Sequence, residues 1–167
     1  MLDLHQLFSE PRHLIVICGG AVSGSEAAAI CAERGIIAVV LEQNARPYGK
    51  IEDGLPRWHE KLRQQGYTCI DDNLTREGVY YVPLAALGRE HALSELRARP
   101  GVAAVLLANG AWRDRPLQLP GIEPLLGKGF AYQNPFVYSF NHYEDAGYAG
   151  PEFKVEPGTI VVGGGLA

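Results

Sequence analysis

Three small residues near the start of the chain could bind a phosphate group through their backbone. Gly19, Ala21 and Gly24 occupy the three glycine positions of a G-x-G-x-x-G pattern, directly after the apolar run Leu14–Cys18. The first position permits a tight turn, the second lets the backbone approach a pyrophosphate, and the third lets a helix pack closely on a strand. Ala21 departs from the pattern by one methyl group. The expected chemistry is binding of a dinucleotide pyrophosphate at a helix amino terminus.

A carboxylate follows at the position where such a site needs one. Glu42 ends a second apolar run, residues 36–41. An acidic side chain at the end of the second strand of a dinucleotide-binding unit accepts hydrogen bonds from the ribose of an adenosine. The alternative interpretation is a glycine-tightened turn with a solvated Glu42. The succession of strand, glycines, Ala-rich helix, strand and glutamate favours the nucleotide site.

The elements that must position these residues follow one another as strand, helix and strand. Leu14–Cys18 predicts a parallel strand covered on both faces, and an Ala-rich helix is expected from Ser25 until Gly35 stops it. Residues 36–41 predict the second strand. The expected fold class is therefore α/β, a Rossmann-like domain with a mostly parallel sheet.

The rest of the chain predicts a less regular succession of elements. Leu55, Trp58 and Leu62 repeat at helical spacing, and Pro56 and Gly66 suit the start and the stop of a helix. The remaining expectations are short strands at 67–70 and 78–82 joined by a turn at 77–78, a helix over 91–99, a buried strand at 102–108, a turn-rich aromatic stretch over 113–158, and a new strand at 159–162.

Composition excludes several classes of function. The 167 residues are 47% hydrophobic and 20% charged, which is ordinary for a globular protein. Fifteen basic residues against nineteen acidic ones give a formal charge of -4, so bulk electrostatic binding of nucleic acid is not expected. Cys18, Cys31 and Cys69 form no CxxC pair, which argues against a disulfide framework, a metal site and a redox dithiol.

Membrane and export signals are not expected either. No apolar run approaches the roughly 20 residues that a membrane span requires. Residues 1–12 lack the basic start and long apolar run of a signal peptide. The sequence thus predicts a soluble, cytoplasmic protein.

The segments beyond Glu42 resemble, in order, those of one enzyme family. Residues 41–56 are similar to the stretch after the second strand in FAD enzymes of the adrenodoxin reductase type and in the glutamate synthase small subunit. Residues 105–112 look like their second flavin motif, usually written Ala-Thr-Gly, with Asn109 in place of the threonine. Further matches are residues 119–121 with the segment past that motif, 133–142 with the aromatic connection to the NADP domain, and 159–167 with the first strand and glycine turn of that domain.

This resemblance implies an NAD(P)H-dependent flavin oxidoreductase. Its cofactors would be FAD and, in the full-length enzyme, NAD(P)H, with electrons passing from nicotinamide through the flavin to an acceptor such as an iron-sulfur protein or a small molecule. Residues 1–157 would form an incomplete FAD-binding domain, and 158–167 the start of a truncated NAD(P)-binding domain. The chain alone is then not expected to oxidise NAD(P)H, and no side chain is assigned a catalytic role.

The same resemblance, added to the glycine pattern, gives a set of candidate cofactor-binding residues. Residues 19–24 would hold the pyrophosphate, Glu42 the ribose, Arg46 to Lys50 would flank the flavin, and Val82 with Ala108 to Gly110 would line the adenine and pyrophosphate region. The full set is Gly19, Gly20, Ala21, Val22, Ser23, Gly24, Glu42, Gln43, Arg46, Tyr48, Gly49, Lys50, Val82, Ala108, Asn109 and Gly110.

Two other hypotheses remain open at this point. The chain could be a non-catalytic binding or assembly module that keeps the nucleotide fold and acts through a partner chain. Self-association or a partner covering the truncated edge would fit either function. Alternatively, the first site could bind NAD or another adenine nucleotide instead of FAD.

Overall fold

A four-stranded, all-parallel sheet forms the centre of the computed structural model, which describes residues 13–163. The strands are β1 (Leu14–Cys18), β2 (Ile37–Leu41), β3 (Val79–Val82) and β4 (Val102–Leu107), arranged in the order β3-β2-β1-β4. The expected α/β, Rossmann-like fold is confirmed. Residues 1–12 and 164–167 lie outside the described residues, and with them the expectations about a leader and about the second glycine turn.

Five α-helices accompany the sheet in the described chain: α1 (Val22–Glu33), α2 (Lys50–Asp53), α3 (Glu60–Leu74), α4 (Leu93–Ala98) and α5 (Gln133–His142). A 3-10 turn spans Glu123–Leu125. Within residues 13–163, none of these helices has both the length and the apolar character to cross a bilayer.

The two central strands are buried because their sequences are apolar on both faces. One face of β1 and β2 contributes Leu14, Val16, Cys18, Val39 and Leu41 to the core cluster. Small residues of α1, among them the buried Ala28 and Ala29, let that helix approach the sheet closely.

Helix α3 corrects two expectations at once. The sequence predicted a helix stop at Gly66 and a strand over residues 67–70, but the helix continues through both. A glycine inside a helix costs only about 1 kcal/mol relative to alanine, whereas Ile70 and Leu74 recur at helical spacing and are buried. Strand β3 consequently pairs with β2 in parallel and forms no hairpin at 77–78.

Other boundaries also differ from the sequence expectations. Helix α1 begins at Val22, three residues before Ser25, because Gly24 lacks the side chain that would prevent its first turn from packing on β1. Helix α3 begins at Glu60 and not at Pro56, and α2 occupies part of the predicted loop. The helix expected over 91–99 is confirmed as α4. The aromatic stretch contains α5, which was not predicted.

Strand β4 and the carboxy-terminal segment are more exposed than expected. The sequence predicted a buried strand over 102–108, yet Leu106 is 41% and Leu107 is 55% exposed, because β4 pairs only with β1 within the described sheet. Residues 159–163 form no strand in the described structure, since no described strand pairs with them, and Ile160 is 84% exposed.

The described chain divides into two compact units. The first comprises residues 13–49 and 61–110 and contains the sheet with α1, α3 and α4; the second comprises 50–60 and 111–163 and contains α2 and α5. In the second unit, the buried Asn141 amide donates to the carbonyl oxygens of Glu52 and Leu55, at 3.2 and 2.9 Å. Its Oδ1 accepts a hydrogen bond from the Arg57 N–H at 3.1 Å. Asn141 therefore fixes residues 52–57 against α5.

Candidate functional site

Strand register brings the candidate site together at the carboxyl edge of the sheet. Cys18, the last residue of β1, pairs with Leu41 of β2 and with Leu107 of β4, and Leu41 pairs with Val82 of β3. The residues that follow these strand ends must therefore be neighbours. This is the edge at which open parallel sheets bind their ligands.

The glycine turn is packed so tightly that two of its positions exclude a side chain. Gly19 has a φ of +107°, and a Cβ there would overlap the carbonyl group of Ala108. A Cβ on Gly24 would overlap the carbonyl oxygen of Gly19 and would lie 3.3 Å from Ile17 Cγ2. The Gly19 N–H also donates to the Leu41 carbonyl at 2.7 Å. The first and third glycines of the pattern thus have the structural roles that the sequence predicted.

The start of α1 carries backbone amides without intrahelical partners next to this turn. The first helical hydrogen bond closes from the Ser25 N–H to the Ala21 carbonyl, at 2.8 Å. The amides of Val22, Ser23 and Gly24 precede it and lack intrahelical partners, as in any α-helix. Val22 and Ser23 are exposed. With the positive end of the helix dipole, these amides can bind a phosphate.

Glu42 connects the glycine turn to the end of β2. Its side chain is buried, with only 5% of the residue exposed. Oε2 accepts a hydrogen bond from the Gly20 N–H at 2.8 Å, and Oε1 accepts one from the Asn44 N–H at 2.9 Å. Each carboxylate oxygen retains a further lone pair that can accept a hydrogen bond from a ribose hydroxyl. The predicted neighbourhood of Glu42 and the turn is present in the structure.

Tyr81 of β3 lies beneath the turn and was not predicted as part of the site. A Cβ on Gly20 would lie 3.3 Å from Tyr81 Cε2, a tight contact that the ring would have to relieve by a shift of a few tenths of an ångström. The buried Tyr81 hydroxyl has no hydrogen-bond partner among residues 13–163. Burial, with smaller contributions from the Glu42 carboxylate and from Tyr48, raises the pKa of Tyr81 to about 12. The hydroxyl is therefore neutral at physiological pH.

The strand ends on either side of the turn carry four of the remaining candidates. The Glu42 N–H donates to the Val82 carbonyl at 2.9 Å, and the Ala108 N–H donates to the Cys18 carbonyl at 2.8 Å. Asn109 is exposed, and Gly110 is exposed with a φ of +65°. Val82 and residues 108–110 thus extend the same edge of the sheet.

The candidates in the segment after β2 have contacts of their own. Arg46 lies over the ring of Tyr48, with its Cζ 4.8 Å from the ring centroid. The Tyr48 hydroxyl is 3.2 Å from each carboxylate oxygen of Asp71 on α3, and burial and this hydrogen bond raise the pKa of Tyr48. Gln43 is exposed, and Gly49 is buried with a φ of +49°. These contacts hold the segment against α3.

Lys50 belongs to the second unit, where it contacts residues that the sequence did not single out. Its Nζ is 2.6 Å from Oδ1 of Asn134 and 5.0 Å from the ring centroid of Trp112. In the same unit, the two ring nitrogens of His142 face Asp53 and Asp145 at 3.0 and 2.6 Å. The Lys50–Asn134 and His142–Asp53 pairs join residues more than eighty positions apart in the chain, so no local pattern could have revealed them.

The donor and acceptor set of the first unit fits an adenine dinucleotide. Gly19 and Gly24 let the turn pack directly on Ala108 and on the start of α1, the α1 amides without intrahelical partners suit a pyrophosphate, and Glu42 offers acceptors for a ribose.

Comparison with known proteins gives a fold but no family. No protein-family model matches the sequence, and no curated protein matches it. Among solved structures, the chain is similar to FprA, a Mycobacterium tuberculosis oxidoreductase whose structure reveals a covalent modification of NADP+. The two superpose with a TM-score of 0.69 at 24% sequence identity, and the match covers 78% of this chain and 29% of the FprA chain. The fold matches part of FprA. A histidine-to-glutamine variant of FprA and its complex with NADPH each give a TM-score of 0.66 at 22% identity, with the same coverage. This chain spans 29% of the length of the FprA chains.

Proposed function

We propose that this chain binds FAD and is the FAD-binding part of an NAD(P)H-dependent flavin oxidoreductase. The observation that carries the proposal is the 2.8 Å hydrogen bond from the Gly20 N–H to the Glu42 carboxylate. It sets the phosphate-binding turn and the ribose acceptor at a fixed separation on neighbouring strands, as a dinucleotide requires. The likeness of the fold to an oxidoreductase solved with NADPH supports the electron-transfer role.

The residues of the first unit would divide the binding of FAD among them. The amides of Val22 and Ser23 would donate to the pyrophosphate, and Glu42 would accept hydrogen bonds from the ribose. Val82 and residues 108–110 would line the adenine and pyrophosphate region. Each role uses a backbone group or a side chain that already lies at the carboxyl edge of the sheet.

When bound, FAD would supply the redox chemistry, accepting hydride from NAD(P)H and releasing electrons to an acceptor. The chain's own contribution would be binding and orientation. The acceptor would be an iron-sulfur protein or a small molecule, and an NAD(P)-binding domain beginning at about residue 158 would supply the nicotinamide site of the full-length enzyme.

The test is the visible spectrum of the purified chain, followed by titration with FAD. We expect the absorption bands of oxidised flavin, and we expect Glu42→Ala to weaken FAD binding while Glu33→Gln leaves it unchanged. Glu33 is a suitable control because it pairs with Arg76 on the exposed surface of the same unit. A chain that binds ADP or NAD but not FAD would instead be an adenine-nucleotide module. A chain that binds none of the three would contradict the proposal.

A second measurement examines the activity of the chain alone. We expect NAD(P)H to be oxidised no faster in the presence of the FAD-loaded chain than with free FAD. Appreciable diaphorase activity would contradict the proposed division between an FAD-binding part and a nicotinamide-binding part.

A further inference from the structure

Leu84 has a strained backbone at the edge of the sheet where the candidate site lies. It follows β3 by two residues and has a φ of 57°, the one positive value at a non-glycine residue within 13–163. The left-handed conformation is unfavourable for a residue with a Cβ, and glycine or asparagine adopts it more readily. The Leu84 side chain is nevertheless large, apolar and 61% exposed. Strain of this kind is concentrated at functional sites.

The loop that carries Leu84 is hydrogen-bonded to the segment that follows β2. The Leu84 N–H donates to the Asn44 carbonyl at 3.3 Å, and the Ala85 N–H donates to the Glu42 carbonyl at 2.8 Å. Ala85 is buried in the core cluster. Because the Ala85 side chain occupies the core position, the neighbouring Leu84 side chain remains at the surface. The Leu84 backbone is hydrogen-bonded to the same segment that carries the Glu42 carboxylate.

Strand order indicates which part of a dinucleotide would reach this loop. The glycine turn follows β1, Glu42 follows β2, and Leu84 follows β3, and these strands are adjacent in the sheet. Neighbouring strands lie about 4.8 Å apart. A ligand with its pyrophosphate after β1 and its ribose after β2 would therefore continue with its base over the end of β3.

We propose that the Leu84 side chain is the apolar contact for the base of an adenine-containing diphosphate. This inference rests on the proposed function and adds to it a residue that determines base affinity. A planar base covers an exposed apolar side chain and removes its surface from water, which favours binding. The strained backbone holds the side chain at the surface, where a base can reach it.

The experiment compares the parent chain with Leu84→Gly, Leu84→Ala and Leu84→Met, using ADP as the probe in isothermal titration calorimetry. Glycine and alanine remove the contact, and we expect the Kd for ADP to rise about 3-fold to 10-fold. Methionine keeps the apolar volume and should stay within about 2-fold of the parent. Leu84→Gly also relieves the backbone strain, so its melting temperature should equal or exceed that of the parent.

A direct readout distinguishes contact from an indirect effect. In the parent chain saturated with ADP, we expect nuclear Overhauser effects between the Leu84 methyl protons and the adenine H2 or H8 protons. Parent-like ADP affinity in Leu84→Gly and Leu84→Ala, or the absence of these effects, would overturn the role of Leu84 and leave the proposed function standing. A parent chain that binds neither ADP nor FAD would overturn both.

Discussion

Glu42 should stabilise the first unit through the two backbone amides that its carboxylate binds. The carboxylate is buried, and its oxygens lie 2.8 Å from the Gly20 nitrogen and 2.9 Å from the Asn44 nitrogen. A hydrogen bond to a charged group contributes about 1.5–3 kcal/mol to stability. When the carboxylate is removed, water near the surface binds the freed amides and offsets part of the lost stability. We therefore expect Glu42→Ala to lower the free energy of unfolding by about 2–4 kcal/mol. Glu42→Gln keeps one acceptor and should cost about half as much.

Urea unfolding monitored by circular dichroism measures this difference, and hydrogen exchange locates it. The Gly20 and Asn44 amides should exchange faster in both variants. Glu33→Gln is the matched control, because the Glu33–Arg76 pair is exposed and an exposed pair contributes at most about 1 kcal/mol. If both Glu42 variants unfold at the parent's urea midpoint, and the Gly20 amide exchanges at the parent's rate, the carboxylate does not stabilise the turn and the reasoning is wrong.

Three further substitutions test other parts of the structure. Gly24→Ala places a methyl group on the Gly19 carbonyl oxygen, so the free energy of urea unfolding should fall by about 1–3 kcal/mol and FAD should bind more weakly; parent-like values of both would contradict the packing. Tyr81→Phe removes a hydroxyl without a described partner and should leave stability at pH 7 unchanged or raise it by up to about 1 kcal/mol. Because the folded chain holds the pKa of Tyr81 at about 12, the unfolded tyrosine ionises first, and the parent should lose stability relative to Tyr81→Phe as pH rises from 10 to 12; parallel pH profiles would argue against this. Asn141→Ala breaks three hydrogen bonds in the second unit and should cost about 2–4 kcal/mol, with faster exchange of the Arg57 amide as the local signal and unchanged exchange as the contrary result.

The parts of the fold that the sequence predicted correctly depend on local patterns. The apolar run of β1, the glycines after it and the second apolar run place Gly19 and Glu42 on adjacent strands, because one crossover helix joins two parallel neighbours. The structure places both residues as that pattern requires. Local chemistry was sufficient there because the turn, the helix start and the strand ends lie within one short segment.

The incorrect predictions arose where tertiary contacts outweigh local preference. Residues 67–70 contain aromatic and β-branched side chains typical of a strand, but burial of Ile70 and Leu74 along one stripe stabilises a helix there. The apolar composition of β4 predicted burial, and its edge position leaves it exposed. Tyr81 and Leu84 gave no signal, because an unpaired hydroxyl and a positive φ are properties of the folded chain.

The parallel order of the sheet has a consequence for how the first unit folds during synthesis. Leu14 of β1 pairs with Ile37 of β2 and with Val102 of β4, so the two partner strands of β1 emerge from the ribosome at very different times. Contacts between residues so far apart in sequence slow folding, because a long loop must close before they form. Until β4 has been made, one edge of β1 remains unpaired and open to association with other chains, which is the interval in which a chaperone would be of most use.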